Sequence, residues 1–147
     1  DINNDGFLDM AILSNGSGNI KGLKLYKNNT NNNHWIKIRA RGLKNNTDGY
    51  HTKFIFRDSV THEILATRYL GNYNQADARF IAYAGLGNST SINLTVEFPH
   101  GGPTFHYLNL PVDKEMVVFR DGCLLTDWSP GQGWPTVSTG QSCTLPN

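Results

Sequence analysis

The first nine residues set side-chain oxygens at alternate positions: Asp1-Ile2-Asn3-Asn4-Asp5-Gly6-Phe7-Leu8-Asp9. In a tight loop, Asp1, Asn3 and Asp5 can converge on one hard cation. Gly6 permits the sharp turn, the Phe7 carbonyl can add an oxygen, and Asp9 supplies a further carboxylate. An all-oxygen set of this kind suits calcium. The plainer alternative is an Asx-rich turn without metal. The regularity of the spacing favours calcium.

A second chemistry is written in asparagine. Five triplets fit the acceptor pattern for N-linked glycans: Asn15-Gly16-Ser17, Asn28-Asn29-Thr30, Asn45-Asn46-Thr47, Asn88-Ser89-Thr90 and Asn93-Leu94-Thr95. One triplet arises easily by chance, but five in 147 residues carry more weight. Four sit in turn-like polar segments. Asn93 falls on a strand, on its polar face beside Thr95 and Glu97, which is compatible with an outward glycan. Against this, asparagine is simply a good turn residue. The two cysteines, Cys123 and Cys143, lie in the last quarter of the chain. Two buried free thiols are the alternative to a bridge. The sequons point to a secretory route, and there a disulfide is expected. It would staple the tail and contribute ~3 kcal/mol. Together these features imply a secreted, extracellular chain carrying covalent N-glycans.

Catalytic signatures are missing from the sequence. It has no nucleophile elbow, phosphate loop, dinucleotide glycines or H-E-x-x-H. His34, His51, His62, His100 and His106 share no metal-ligand spacing. Asp58, Glu63, Asp77, Glu97 and Asp113 offer carboxylates, but nothing selects a hydrolytic pair. The expectation is a non-enzyme, with a glycan-acting hydrolase the weakest reading. For recognition, the best stretch is the loop with Tyr69, Tyr73, Asn74 and Gln75, which mixes aromatic and amide groups. Aromatics on strands more often pack than bind.

The elements that must position these groups are strands. Ile36, Ile38 and Ala40 alternate with Lys37, Arg39 and Arg41, and Ile92, Leu94, Val96 and Phe98 with Asn93, Thr95 and Glu97. Further strands are expected at 7–13, 22–27, 53–57, 63–69, 79–84, 104–110 and 115–120. Asp48-Gly49, Gly71-Asn72, Gly87-Asn88 and His100-Gly101-Gly102 mark turns. Turns at this spacing argue for an antiparallel sandwich. A net charge of +1 supplies no field for nucleic acid, and no apolar run reaches the ~20 residues of a membrane span. The chain begins at Asp1, inside a motif, which suggests a fragment of a longer precursor.

The opening D-x-N-x-D-G-x-x-D is close to the start of an EF-hand loop, but no glutamate stands at the twelfth position and a strand follows. It resembles the calcium loops of FG-GAP/VCBS repeats, and Leu25-Tyr26-Lys27-Asn28 is similar to the usual ending of that repeat. Asn33-His34-Trp35, Asn46-Thr47-Asp48-Gly49, Tyr69-Leu70-Gly71-Asn72-Tyr73-Asn74-Gln75, Gly85-Leu86-Gly87 and Phe98-Pro99-His100-Gly101 then follow in order. That succession resembles the ASPIC/UnbV domain, which follows such repeats in secreted proteins. The chain departs from the family pattern at His51-Thr52, where Gly-Ala is usual, and at Phe98, where Trp is usual. The resemblance implies an extracellular β-module without established catalytic residues.

The resulting expectation is an all-β protein: an antiparallel, jelly-roll-like β-sandwich with an N-terminal calcium-loop hairpin. Residues 1–32 form the loop and hairpin, 33–120 the sandwich, and 121–147 a Pro/Gly/Ser/Thr-rich tail closed by the disulfide, with at least one of Trp128 and Trp134 buried. The expected role is structural or adhesive. Its partners would be other copies of itself or extracellular glycoproteins. The unpaired edges of the hairpin could build head-to-tail fibres. A glycan-binding module is the alternative.

Overall fold

The computed structural model describes residues 1–3, 5–14, 22–29, 32–42, 45–71, 80–128 and 143–147, and these form an all-β protein. Contacts divide the chain into Asp1–Asn32 and Asn33–Asn147. In the first unit, β1 (Met10–Ser14) pairs antiparallel with β2 (Gly22–Tyr26), from Met10↔Tyr26 to Ser14↔Gly22.

The second unit holds β3 (His34–Arg41), β4 (Lys53–Asp58), β5 (Ile64–Tyr69), β6 (Ala82–Gly87), β7 (Ser91–Glu97), β8 (Thr104–Pro111), β9 (Lys114–Phe119) and β10 (Leu124–Leu125). They form two four-stranded sheets, ordered β10-β9-β3-β6 and β5-β4-β7-β8. One apolar core lies between the sheets. Ile36, Ile38, Ala82, Ala84, Met116 and Val118 face it from the first, and Phe54, Phe56, Ile92, Leu94, Val96 and Tyr107 from the second. The period-two alternation of β7 survives intact: Ile92, Leu94 and Val96 are buried, while Asn93, Thr95 and Glu97 are half-exposed. Every strand pair is antiparallel except one, since β9 runs parallel to β3.

Three expectations change. The strand anticipated at 7–13 begins at Met10 and runs to Ser14. The strand anticipated at 79–84 lies three residues later, at Ala82–Gly87, so Gly85 and Gly87 are strand residues and the turn begins at Asn88. More consequentially, Lys37 and Arg39 do not face water. Each is under a tenth exposed, at 2% and 7%. The far side of the first sheet is covered by a second apolar cluster of Val117, Phe119, Cys123 and Trp128. Both sides of β3 are therefore buried, and alternation alone could not show it.

The open sides of the sandwich are closed by two devices. Between the edge strands β5 and β6, Arg68 Nε donates to the Tyr83 carbonyl at 2.7 Å. An inward charge on an edge strand blunts edge-to-edge pairing. On the other side, Thr144 exchanges main-chain hydrogen bonds with Leu124, and the Asn147 N–H donates to the His106 carbonyl of β8 at 2.8 Å. Residues 143–147 thus run from the β10 edge to the β8 edge.

Candidate functional site

At the N-terminal loop, Gly6 has φ +91°, the backbone freedom the sharp turn requires. The Asp1 carboxylate accepts the N–H groups of Asp5 (3.0 Å) and Gly6 (2.9 Å), and Asp5 accepts that of Phe7 (3.0 Å). Asn3 donates its amide to Asp5 at 2.6 Å. Asp9 is turned to the hairpin, where it takes the N–H groups of Ile2 (2.7 Å) and Asn28 (2.8 Å). The Asn3 amide and the Phe7 N–H hold the Asp5 carboxyl below its ordinary pKa. The Asn28 and Ile2 N–H groups do the same for Asp9. Both groups are therefore in the ionised form a cation requires. A carboxylate oxygen that accepts one hydrogen bond keeps a second lone-pair site, so Asp1, Asn3, Asp5, Asp9 and the Phe7 carbonyl fit calcium in kind. As folded, no three carboxylate, imidazole or thiolate side chains among the described residues stand close enough to hold a metal ion.

Four of the five acceptor asparagines lie in the described residues, and Asn15 lies outside them. Asn28, Asn45 and Asn88 are exposed on non-strand segments, whereas Asn93 sits half-buried in β7, between β4 and β8. Opposite Asn93 the β8 register shifts: Ile92 faces Leu110 and Leu94 faces Tyr107, so Leu108 and Asn109 together oppose one residue. This is a β-bulge, with Asn109 at φ +54°. Asn93 Oδ1 accepts the N–H of Asn109 at 3.0 Å, and its Nδ2 lies 3.5 Å from His62 Nδ1. The third sequon residue, Thr95, has its hydroxyl 3.1 Å from His106 Nδ1.

Cys123 and Cys143 form the disulfide, with Cα atoms 5.2 Å apart. Cys123 packs with Trp128 and Val117 on the covered side of the first sheet. Beneath that cover Arg39 Nε donates to Glu115 Oε1 at 2.8 Å, both side chains 8% exposed. The Arg39 guanidinium lies 5.1 Å from the Trp128 ring centre. Lys37 Nζ lies 5.0 Å from the ring of Trp35 and 5.6 Å from that of Tyr83. Charged heads beside this apolar cluster thus meet aromatic faces and the Glu115 carboxylate.

Of the proposed recognition loop, Tyr69 is exposed at the end of β5, opposite Lys53; Tyr73, Asn74 and Gln75 lie outside the described residues. Tyr107 is a core residue, its hydroxyl donating to the Gly122 carbonyl at 3.0 Å. Burial and the nearby Asp121 raise its pKa. Tyr50, read from the sequence with Tyr69 as a strand aromatic that could stack on a sugar, lies instead on the turn before β4, in an aromatic corner that the sequence did not show. There Tyr50 meets the edges of His51 and Phe80, and its ring lies so close over Gly71 that a Cβ would overlap it. Asn46 fixes Tyr50 by bonding both its N–H (2.7 Å) and its carbonyl (2.8 Å). The Gly71 beside Tyr69 was the available signal.

His34 acts as a brace. His34 Nδ1 lies 2.7 Å from Asp113 Oδ2, and the other carboxylate oxygen accepts the Trp35 N–H at 3.0 Å. Asp113 thereby clamps the start of β3 to the β8–β9 turn. Compared with protein-family models, curated proteins and solved structures, the chain matches none.

Proposed function

We propose that this chain is an extracellular structural or adhesive glycoprotein module. The observation that carries the reading is the Cys123–Cys143 bridge, which ties the C-terminal strap to the sandwich. Such structural bridges persist in oxidising compartments. Three exposed acceptor asparagines add support. Calcium belongs to the same reading as the ligand of the Asp1–Asp9 loop, holding together oxygens that otherwise serve as hydrogen-bond acceptors. The likeness to an FG-GAP/VCBS ending and an ASPIC/UnbV domain is part of the proposal and agrees with a secreted β-module.

The test is intact mass of the chain recovered from the extracellular fraction, before and after deglycosylation and reduction. The expected result is a drop on deglycosylation and a gain of two hydrogens on reduction. A chain found only in the cell, unmodified and with free thiols, overturns the reading.

A head-to-tail fibre is a second form of this reading, favoured by one observation. The β1–β2 hairpin exposes Met10, Ile12, Leu13, Leu23, Leu25 and Tyr26. A two-stranded hairpin is marginal alone and gains stability from further strands. Glycan recognition at the Tyr69 end is the alternative, supported by exposed Tyr69 and by exposed Tyr50, whose ring lies over Gly71 just after Tyr69. Loss of glycan-array signal on Tyr69→Ala would favour it, and an array without hits would remove it.

A further inference from the structure

The geometry points to a sorting of the acceptor asparagines by the fold: Asn45 and Asn88 are the glycan-bearing sites of the sandwich, and Asn93 is kept bare. This rests on the secretory reading above. The transfer joins the asparagine Nδ2 to the anomeric carbon of a lipid-diphosphate-linked oligosaccharide. The bond from that carbon to the diphosphate oxygen breaks, the lipid diphosphate leaves, and the amide gives up one proton. The amide must therefore be free and the triplet must enter the transferase as a loose segment.

Asn93 meets neither demand. Its carbonyl oxygen takes the Asn109 N–H at 3.0 Å, the donor that the β8 bulge leaves without a ladder partner. Its nitrogen faces His62, and Thr95 is engaged with His106. β7 is paired on both sides, from Lys53↔Glu97 to Asp58↔Ile92 with β4 and from Glu97↔Thr104 to Ser91↔Pro111 with β8. Freeing this triplet means opening the centre of a sheet. Asn45 and Asn88 stand on exposed turns outside the ladders, their triplets held by local bonds of Asn46 to Tyr50 and of Ser89 to Asp58 and the Leu86 carbonyl. Among the described residues neither acceptor side chain has a hydrogen-bond partner. Asn45 follows β3, beyond its Arg41 end. Asn88 follows Gly87, which pairs with His34 at the opposite end of β3. The two sugars would cap opposite poles of the sandwich and leave the outer face of β5-β4-β7-β8 uncovered.

The experiment is expression of the full chain behind a secretory leader in a eukaryotic host, followed by site-by-site occupancy from enzymatic deglycosylation in heavy-oxygen water. The leader imposes the route, so the site pattern is read whether or not the native chain is secreted. The expected result is occupancy at Asn45 and Asn88 and none at Asn93. Asn45→Gln and Asn88→Gln each remove one glycan step, and Asn93→Gln removes none. Occupancy of Asn93 in the folded secreted protein overturns the inference, and so does a bare Asn45 or Asn88.

Discussion

Thr52 shows how a single residue can be measured against its surroundings. It is fully buried, and among the described residues its hydroxyl has no hydrogen-bond partner. Burying such a group without a bond costs about 1–3 kcal/mol. Valine has the same branched shape without the oxygen, so Thr52→Val is expected to stabilise by about 1 kcal/mol, read as a higher urea midpoint at unchanged slope. Arg39 and Glu115 present the reverse case, a buried pair in contact. Removing the cation leaves the Glu115 carboxylate buried without its ion-pair partner, so Arg39→Met is expected to cost about 3–5 kcal/mol. The double change Arg39→Met with Glu115→Leu should recover most of that loss, because no lone charge remains. Asp58 contributes to the acid behaviour of the sandwich. The Thr61 N–H, the Ser89 hydroxyl and the Val60 N–H lower its pKa from 3.8 to about 2. A depressed folded pKa means the contribution is complete above 3.8 and is lost as pH falls from there through about 2. Asp58→Asn should therefore flatten the dependence of the urea midpoint on pH within that window and leave its slope near pH 7 unchanged.

At the scale of elements, the strap and the turns carry the argument. Residues 143–147 join the β10 and β8 edges, and the disulfide fixes where they start. In the chain-entropy model, closing a loop of 20 residues is worth ~3 kcal/mol. Cys123→Ser with Cys143→Ser should lower stability by about that amount. Amide exchange should rise first at Thr144 and Asn147, whose N–H groups lie on the strap. Gly49 sits at φ +62° with its Cβ position 2.5 Å from the Ala40 Cβ. That contact explains why the Asp48-Gly49 signal marks the β3–β4 turn so clearly in the sequence. Strand alternation was equally legible in β4 and β7, because one face of each meets the core and the other meets solvent. It misled at β3, where Arg39 meets Trp128 some ninety positions away and Lys37 meets Tyr83 of the neighbouring β6. No local pattern encodes a cover that distant. The β8 bulge was hidden for a similar reason. Asn93 reads as an outward polar residue, and only the register with Leu108 and Asn109 shows that its amide is committed.

The whole molecule consists of two units of very different character. Asn33–Asn147 closes its own core and its own edges, so it has what it needs to fold alone. Asp1–Asn32 has a hairpin whose apolar side chains, including Met10, Ile12, Leu23 and Leu25, remain exposed, and a loop tied to the end of that hairpin through Asp9 and Asn28. The larger unit should therefore set the thermal transition, and the hairpin should set association. Deleting residues 1–32 is expected to leave the melting temperature of the sandwich within a few degrees of the full chain. In the fibre reading the same deletion abolishes self-association, and Ile12→Lys with Leu25→Lys in the full chain does so as well, since a charge on an exposed edge strand opposes pairing with another copy. Light scattering of the three proteins at matched concentration, with and without calcium, measures this directly. A full chain that stays monomeric throughout sinks the fibre and leaves the sandwich prediction standing. Association that survives the deletion moves the adhesive surface onto the sandwich itself.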